Sequence, residues 1–106
     1  IKYFTDKKKG YYDNDVRLAH FFLGEIYLSN RKIDLATYHL ERSLYYSDKF
    51  KNQKLGYTIY SNFLLGKIFF DMGQSKKSKF YFKRVIKLTN RKEDLNQKSK
   101  GYIKKI

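Results

Sequence analysis

Leu23-Gly24-Glu25-Ile26-Tyr27 and Leu65-Gly66-Lys67-Ile68-Phe69 are one phrase written twice, forty-two residues apart. Each copy is followed by an amphipathic stretch rich in basic and aromatic residues. When 17–58 is laid on 59–100, five positions are identical: Phe21, Leu23, Gly24, Ile26 and Arg42 against Phe63, Leu65, Gly66, Ile68 and Arg84. Elsewhere it is residue type that repeats. The junction Ser47-Asp48-Lys49 falls on Thr89-Asn90-Arg91 and, one period earlier, on Thr5-Asp6-Lys7. A fixed period in the range of about twenty to fifty residues marks a solenoid, whose units bury their apolar faces on one another.

The chain contains no proline, and its apolar residues recur at helical rather than alternating spacing, which makes the fold all-α. The first unit reads as a helix A over 16–29 carrying Leu18, Phe21, Phe22, Leu23, Ile26, Tyr27 and Leu28, with Asp15 as its N-cap. A polar turn, Asn30-Arg31-Lys32, leads to helix B over 33–47, with Leu35, Ala36, Leu40 and Leu44 on one face. The second unit repeats the plan: helix A over 53–71, a turn at Gly73-Gln74-Ser75 with Ser75 as cap, and helix B over 76–90. Residues 1–6 align with the end of a preceding helix B, and the chain closes, over 94–106, with the start of a following helix A that is read from Asn96. The expectation is a single domain of two repeats, 17–50 and 59–92, whose uncovered ends offer a surface for self-association.

Composition narrows the function. Lys and Arg number 24 against 10 Asp and Glu, a net charge of +14, and eleven Tyr with nine Phe supply the core. No run of about eighteen apolar residues is present to cross a membrane, and no charged segment followed by an apolar one marks a signal peptide. The absence of an initiator Met suggests an excised piece. With no cysteine, disulfides and thiol catalysis are excluded while the redox compartment stays open. The bias towards Lys, Asn, Ile, Tyr and Phe matches AT-rich codons, which points to a bacterial source; the compartment, bacterial cytoplasm or periplasm and cell envelope, is left open by the sequence.

These residues resemble the tetratricopeptide repeat, whose pattern runs from a large residue, Leu-Gly and Tyr in helix A to a turn Gly, then Ala and an aromatic in helix B. The matching positions are His20, Leu23, Gly24, Tyr27, Arg31, Ala36 and Leu40 in the first unit. In the second they are Asn62, Leu65, Gly66, Phe69, Gly73, Ser78 and Phe82. Gly24 and Gly66 are expected where helices A and B approach closely, facing small Ala36 and Ser78. The departures are the missing Trp, Arg31 at the turn glycine, and Asp48 and Asn90 in place of a terminal proline. The common repeat is about thirty-four residues long, so the forty-two-residue period resembles the longer units of kinesin light chains and of polarity scaffolds. The resemblance implies a right-handed solenoid of antiparallel helix-turn-helix repeats that holds a partner peptide or helix along the concave helix A groove. By position, that groove takes Leu18, Phe21, Phe22, Glu25 and Leu28 from one unit and Tyr60, Phe63, Leu64, Lys67 and Phe70 from the next. The basic residues of the chaperone-tail clamp are missing, with Glu25 and Lys67 at a key position, so chaperone tails are not the expected partner.

A second surface stands out in helix B of the second unit. Lys76, Lys79, Lys83, Lys87 and Arg91 are expected on one side and Ser78, Phe82 and Val85 on the other. Such a face attracts an acidic protein segment, anionic lipid or nucleic acid, and Phe80 within it can stack a base. A solvated face in a Lys-rich proteome is the bland alternative. His20 and His39 lack any metal-site spacing, Asp13 and Asp15 are not followed by a calcium loop, and no glycine cluster forms a phosphate loop. No acid and base converge, so neither catalytic residue, metal nor cofactor is expected. The reading is a non-catalytic protein-interaction scaffold, placed in a bacterial envelope, secretion or motility assembly. The alternative is an RNA-binding helical repeat using the basic face over 76–92.

Overall fold

The computed structural model describes residues 9–49 and 56–106, with side chains of the first stretch from Asp15 onward. Regular structure among these residues is entirely helical, which makes the chain all-α. The helices are α1 (Lys9–Ser29), α2 (Ile33–Lys49), α3 (Gly56–Asp71), α4 (Ser75–Leu88) and α5 (Asp94–Lys105). They fall into two compact units, Ile1–Asn52 and Gln53–Ile106. The first holds the hairpin α1–α2; the second holds the hairpin α3–α4 and then α5. The expected end of a preceding helix over 1–6 lies outside the described residues.

The two hairpin turns are the same object. In the first, the Arg31 amide donates to Leu28 O at 3.0 Å and the Lys32 amide reaches back to Tyr27 O at 2.9 Å. Forty-two residues on, Gly73 donates to Phe70 O at 3.1 Å and Gln74 to Phe69 O at 2.9 Å. Paired six-to-one and five-to-two bonds of this kind close a helix through one residue in the left-handed region. That residue has φ 60° at Arg31 and 74° at Gly73. Glycine meets this demand without a steric penalty, whereas arginine carries its Cβ into the crowded conformation.

Helix packing inside each hairpin depends on a missing side chain. A Cβ placed on Gly24 would stand 2.7 Å from Leu40 Cδ2 and Cγ, and one on Gly66 would stand 2.7–2.9 Å from the Phe82 ring. Leu40, Phe82, Ala36 and Ser78 are all fully buried. Ser78 Oγ donates to the Gly66 carbonyl at 2.8 Å, and Ser43 Oγ ties α2 to Arg17 O on α1 at 2.9 Å. The flanking rings repeat as well: Tyr27 stacks on His39 at 5.5 Å and Phe69 on Tyr81 at 5.8 Å.

The third helix of the second unit packs Leu95, Tyr102 and Ile103 against the cluster of Phe63, Phe82 and Val85 and is tied down by one buried amide. Tyr102 of α5 stacks on Phe82 at 4.7 Å and meets Phe63 and Phe70 edge-on at 6.1 and 5.0 Å. Asn96, also buried, donates to Thr89 Oγ1 at 3.0 Å. Its start is fastened by Glu93 Oε2, which accepts from the Asn90 amide at 2.7 Å.

Three local expectations are corrected. Asp15 does not cap α1: the helix runs back to Lys9, because a proline-free stretch with helical spacing has nothing to stop it there. Ser75 is the first residue of α4, with Gln74 at the cap position and no side-chain cap bond. Helix α4 ends at Leu88 rather than at Asn90, because Thr89 turns extended (φ −125°, ψ 161°).

Two exchanges test the turn and the approach. Arg31→Gly should stabilise by about 0.5–1 kcal/mol, the relief of the left-handed strain outweighing glycine's added chain entropy, while Gly73→Ala should cost about 1 kcal/mol. Gly66→Ala should cost about 1–3 kcal/mol through overpacking against Phe82. Urea melts followed by circular dichroism measure all three, and an unchanged midpoint for Gly66→Ala would contradict the packing.

Candidate functional site

The positions assigned to the groove divide by burial. On α1, Phe22 stands out at 52% exposure, Leu18, Glu25 and Leu28 are half-buried, and Phe21 is buried with its ring 5.5 Å from that of Phe22. On α3, Tyr60 is 37% exposed, Lys67 and Phe70 are half-buried, and Phe63 and Leu64 are buried. Phe63 belongs to a core cluster with Phe82 and Val85. A change there attacks folding before it attacks recognition, so the exposed rings of the assigned groove are Phe22, beside Phe21, and Tyr60, which stacks on Phe63 at 6.4 Å. Two further apolar residues of α1, Leu23 and Ile26, are 37% and 55% exposed, whereas their repeat counterparts Leu65 and Ile68 are buried.

In the second unit the structure brings α3 and α5 together around a cleft of about 350 Å³. It is lined by Phe63 and Lys67 from α3 and by Lys98, Gly101, Tyr102 and Lys105 from α5. The volume lies at the lower end of the range that holds ligand groups. Two aromatic rings form its apolar part. Lys67 Nζ stands 5.7 Å from the Phe63 ring centre and Lys105 Nζ 5.9 Å from that of Tyr102, both within cation–π reach. Lys98 pairs with Asp94 one turn back at 3.0 Å, both side chains being mostly exposed. The α5 half of this cleft is absent from the sequence reading, which aligned the helix without assigning its faces. The legible signal was Lys98, Gly101, Tyr102 and Lys105, spaced to share one helix face.

On α4 the basic residues Lys76, Lys79, Lys83 and Lys87 are exposed, and Ser78, Phe82 and Val85 are buried as expected. Arg91 does not join them: it lies in the turn after Leu88, where its carbonyl accepts from Gln97 Nε2. Phe80 is 54% exposed with the Arg84 guanidinium 5.8 Å from its ring centre. A second cleft, of about 320 Å³, is lined by Phe80, Arg84, Lys87 and Leu88.

His20 and His39, nineteen residues apart in sequence, meet across the first hairpin with their Nδ1 atoms 2.9 Å apart. One imidazole donates to the other, which requires at least one of them to be neutral. The rings stack at 5.2 Å, Tyr46 stacks on His20 at 6.0 Å, and Tyr38 meets both imidazoles edge-on. Burial, then the neighbouring His39 and Arg42, push the His20 imidazole below its ordinary value of 6.5. Arg42 itself lies over Tyr45 and Tyr46 and donates to the Tyr46 hydroxyl at 3.3 Å. No third metal-ligating side chain joins the pair among the described residues. No described helix is long and apolar enough to cross a membrane.

The family model of the tetratricopeptide repeat matches residues 59–92, the stretch from Ile59 in α3 to the turn that follows α4. No curated protein and no solved structure is significantly similar to the chain.

The histidine pair carries a pH dependence whose sign follows from the lowered His20 value. The fold favours neutral His20, so its contribution is complete above about pH 6.5 and is lost as the pH falls towards the folded value, the unfolded chain taking up the proton first. Urea midpoints should therefore drop between pH about 7.5 and about 5. His20→Asn, which places in α1 the residue found at the repeat-equivalent Asn62, should flatten that dependence. An equal drop in the variant would assign it to other groups.

Proposed function

We propose that this chain, which carries a tetratricopeptide repeat over residues 59–92, is a non-catalytic protein-interaction module that holds a segment of another protein along the helix A face. Repeats of this family mediate protein–protein contact, and stacked units present extended binding surfaces. The observation that carries the reading is the α3–α5 cleft, where rings and cations converge beside the exposed Tyr60. Mixed aromatic and charged linings of this kind suit a helix or an extended peptide: the rings anchor it and the charges steer its approach. A place within a bacterial envelope, secretion or motility assembly is the context we propose for it.

A second reading has its own observation. Exposed Phe80 among the α4 lysines, with Arg84 over its ring, is a stacking platform in a positive field of the type used by single-strand binders. The two readings separate in capture from a lysate of the source organism with and without nuclease. Phe22→Ala with Tyr60→Ala should remove a nuclease-resistant protein partner at unchanged helicity, while Lys79, Lys83 and Lys87→Glu leaves it in place. Capture that is nuclease-sensitive, indifferent to the aromatic pair and lost with the lysine reversals would move the function to nucleic acid, with the steep salt dependence of phosphate contacts.

A further inference from the structure

Glycine inside a helix costs about 1 kcal/mol relative to alanine, and it is retained where something fills the space that a side chain would need. Gly24 and Gly66 meet that description, each facing a buried side chain at 2.7 Å. Gly101 does not. It lies within α5, its backbone is not in the left-handed region, and a Cβ built on it meets nothing within 4 Å. The open space it faces is the α3–α5 cleft, of which it is one wall. Nothing in the packing of α5 calls for a glycine at this position, and a side chain here would extend into the cleft.

The groups around that opening define what enters it. Lys98 and Lys105 flank Gly101 at three and four residues, on the same face of α5, and Lys67 comes from α3. Three ammonium groups surround two rings in a chain of net charge +14. Among the described residues the carboxylate paired with these lysines is Asp94, bonded to Lys98 in an exposed i,i+4 pair that contributes little and exchanges readily. The cations have Coulomb attraction to spend on an anion, and the rings offer apolar area beside them. A phosphate alone would leave the rings uncovered.

We infer that the cleft between α3 and α5, one wall of which is Gly101, is the subsite of the groove that takes an acidic side chain of a partner segment, its carboxylate among Lys67, Lys98 and Lys105, with an adjacent apolar side chain of that segment on Phe63 and Tyr102. This inference rests on the groove reading proposed above. Gly101 is a specificity-determining position, because a side chain there occupies the volume the partner needs.

Fluorescence anisotropy with a short labelled peptide rich in Glu and Leu, its Gln-for-Glu counterpart and a single-stranded RNA of equal length tests it. The Glu peptide should bind at least about tenfold more tightly than the Gln peptide, a ratio that corresponds to one good charge-assisted contact. Gly101→Leu should erase that preference while the melting temperature holds or rises, and Gly101→Ala should raise it by about 4 °C. Lys67→Gln with Lys105→Gln should remove the preference without filling the cleft, which separates charge from volume. Equal binding of the two peptides, or wild-type affinity in Gly101→Leu, overturns the subsite. If both peptides bind equally and Tyr60→Ala weakens both, the groove stands and only the acidic subsite falls. If neither peptide binds and the RNA does, the groove reading falls with it.

Discussion

Everything in each hairpin depends on two helices coming close enough to touch backbone at one glycine. Gly24 admits Leu40, and Gly66 admits the whole ring of Phe82. Once the helices are this near, the facing positions must be small, which Ala36 and Ser78 are, and Ser78 Oγ can reach the Gly66 carbonyl to bond the two helices. The turn then has no slack. Both hairpins close through the same pair of reaching-back hydrogen bonds and the same left-handed residue, even though that residue is Gly73 in one and Arg31 in the other. A close approach outranks a local preference here, and the first turn bears the strain of an arginine where glycine fits freely.

In the second unit the core and the candidate site share atoms. Tyr102 touches Phe82, Phe63 and Phe70, so one side chain joins α5 to both helices of the hairpin. Phe63 and Tyr102 also form the apolar part of the cleft. A partner lying there would meet rings already immobilised by folding, which keeps the ordering cost of recognition low. The lysines, by contrast, place their ammonium groups over those rings, within cation–π reach.

Much of this was legible in the chain. The doubled Leu-Gly phrase, the absence of proline and the forty-two-residue offset led to the hairpins, the close-approach glycines, the small facing residues and the buried face of α4, because each is a consequence of local spacing. Signals that compete with one another misled. Asp15 and Ser75 look like caps, yet continuous helical spacing carried α1 past the first, and a turn closed from the preceding helix put the cap position of α4 at Gln74, one residue before the second. Arg91 follows the spacing of Lys83 and Lys87 only while the helix lasts, and α4 stops at Leu88.

Periodicity assigns a residue to a face of its own helix, and that is enough to specify helical hairpins, their turns and their contact glycines from residue order alone. It does not say what stands across from that face. Whether Phe63 anchors a partner or the core, whether His20 meets His39, and whether Gly101 opens onto a neighbour or onto a cleft were decided only when the helices packed. The physical reason is that burial and hydrogen bonding belong to pairs of surfaces, and the pairing across α1 and α2, or across α3, α4 and α5, is set by distances that no local repeat encodes.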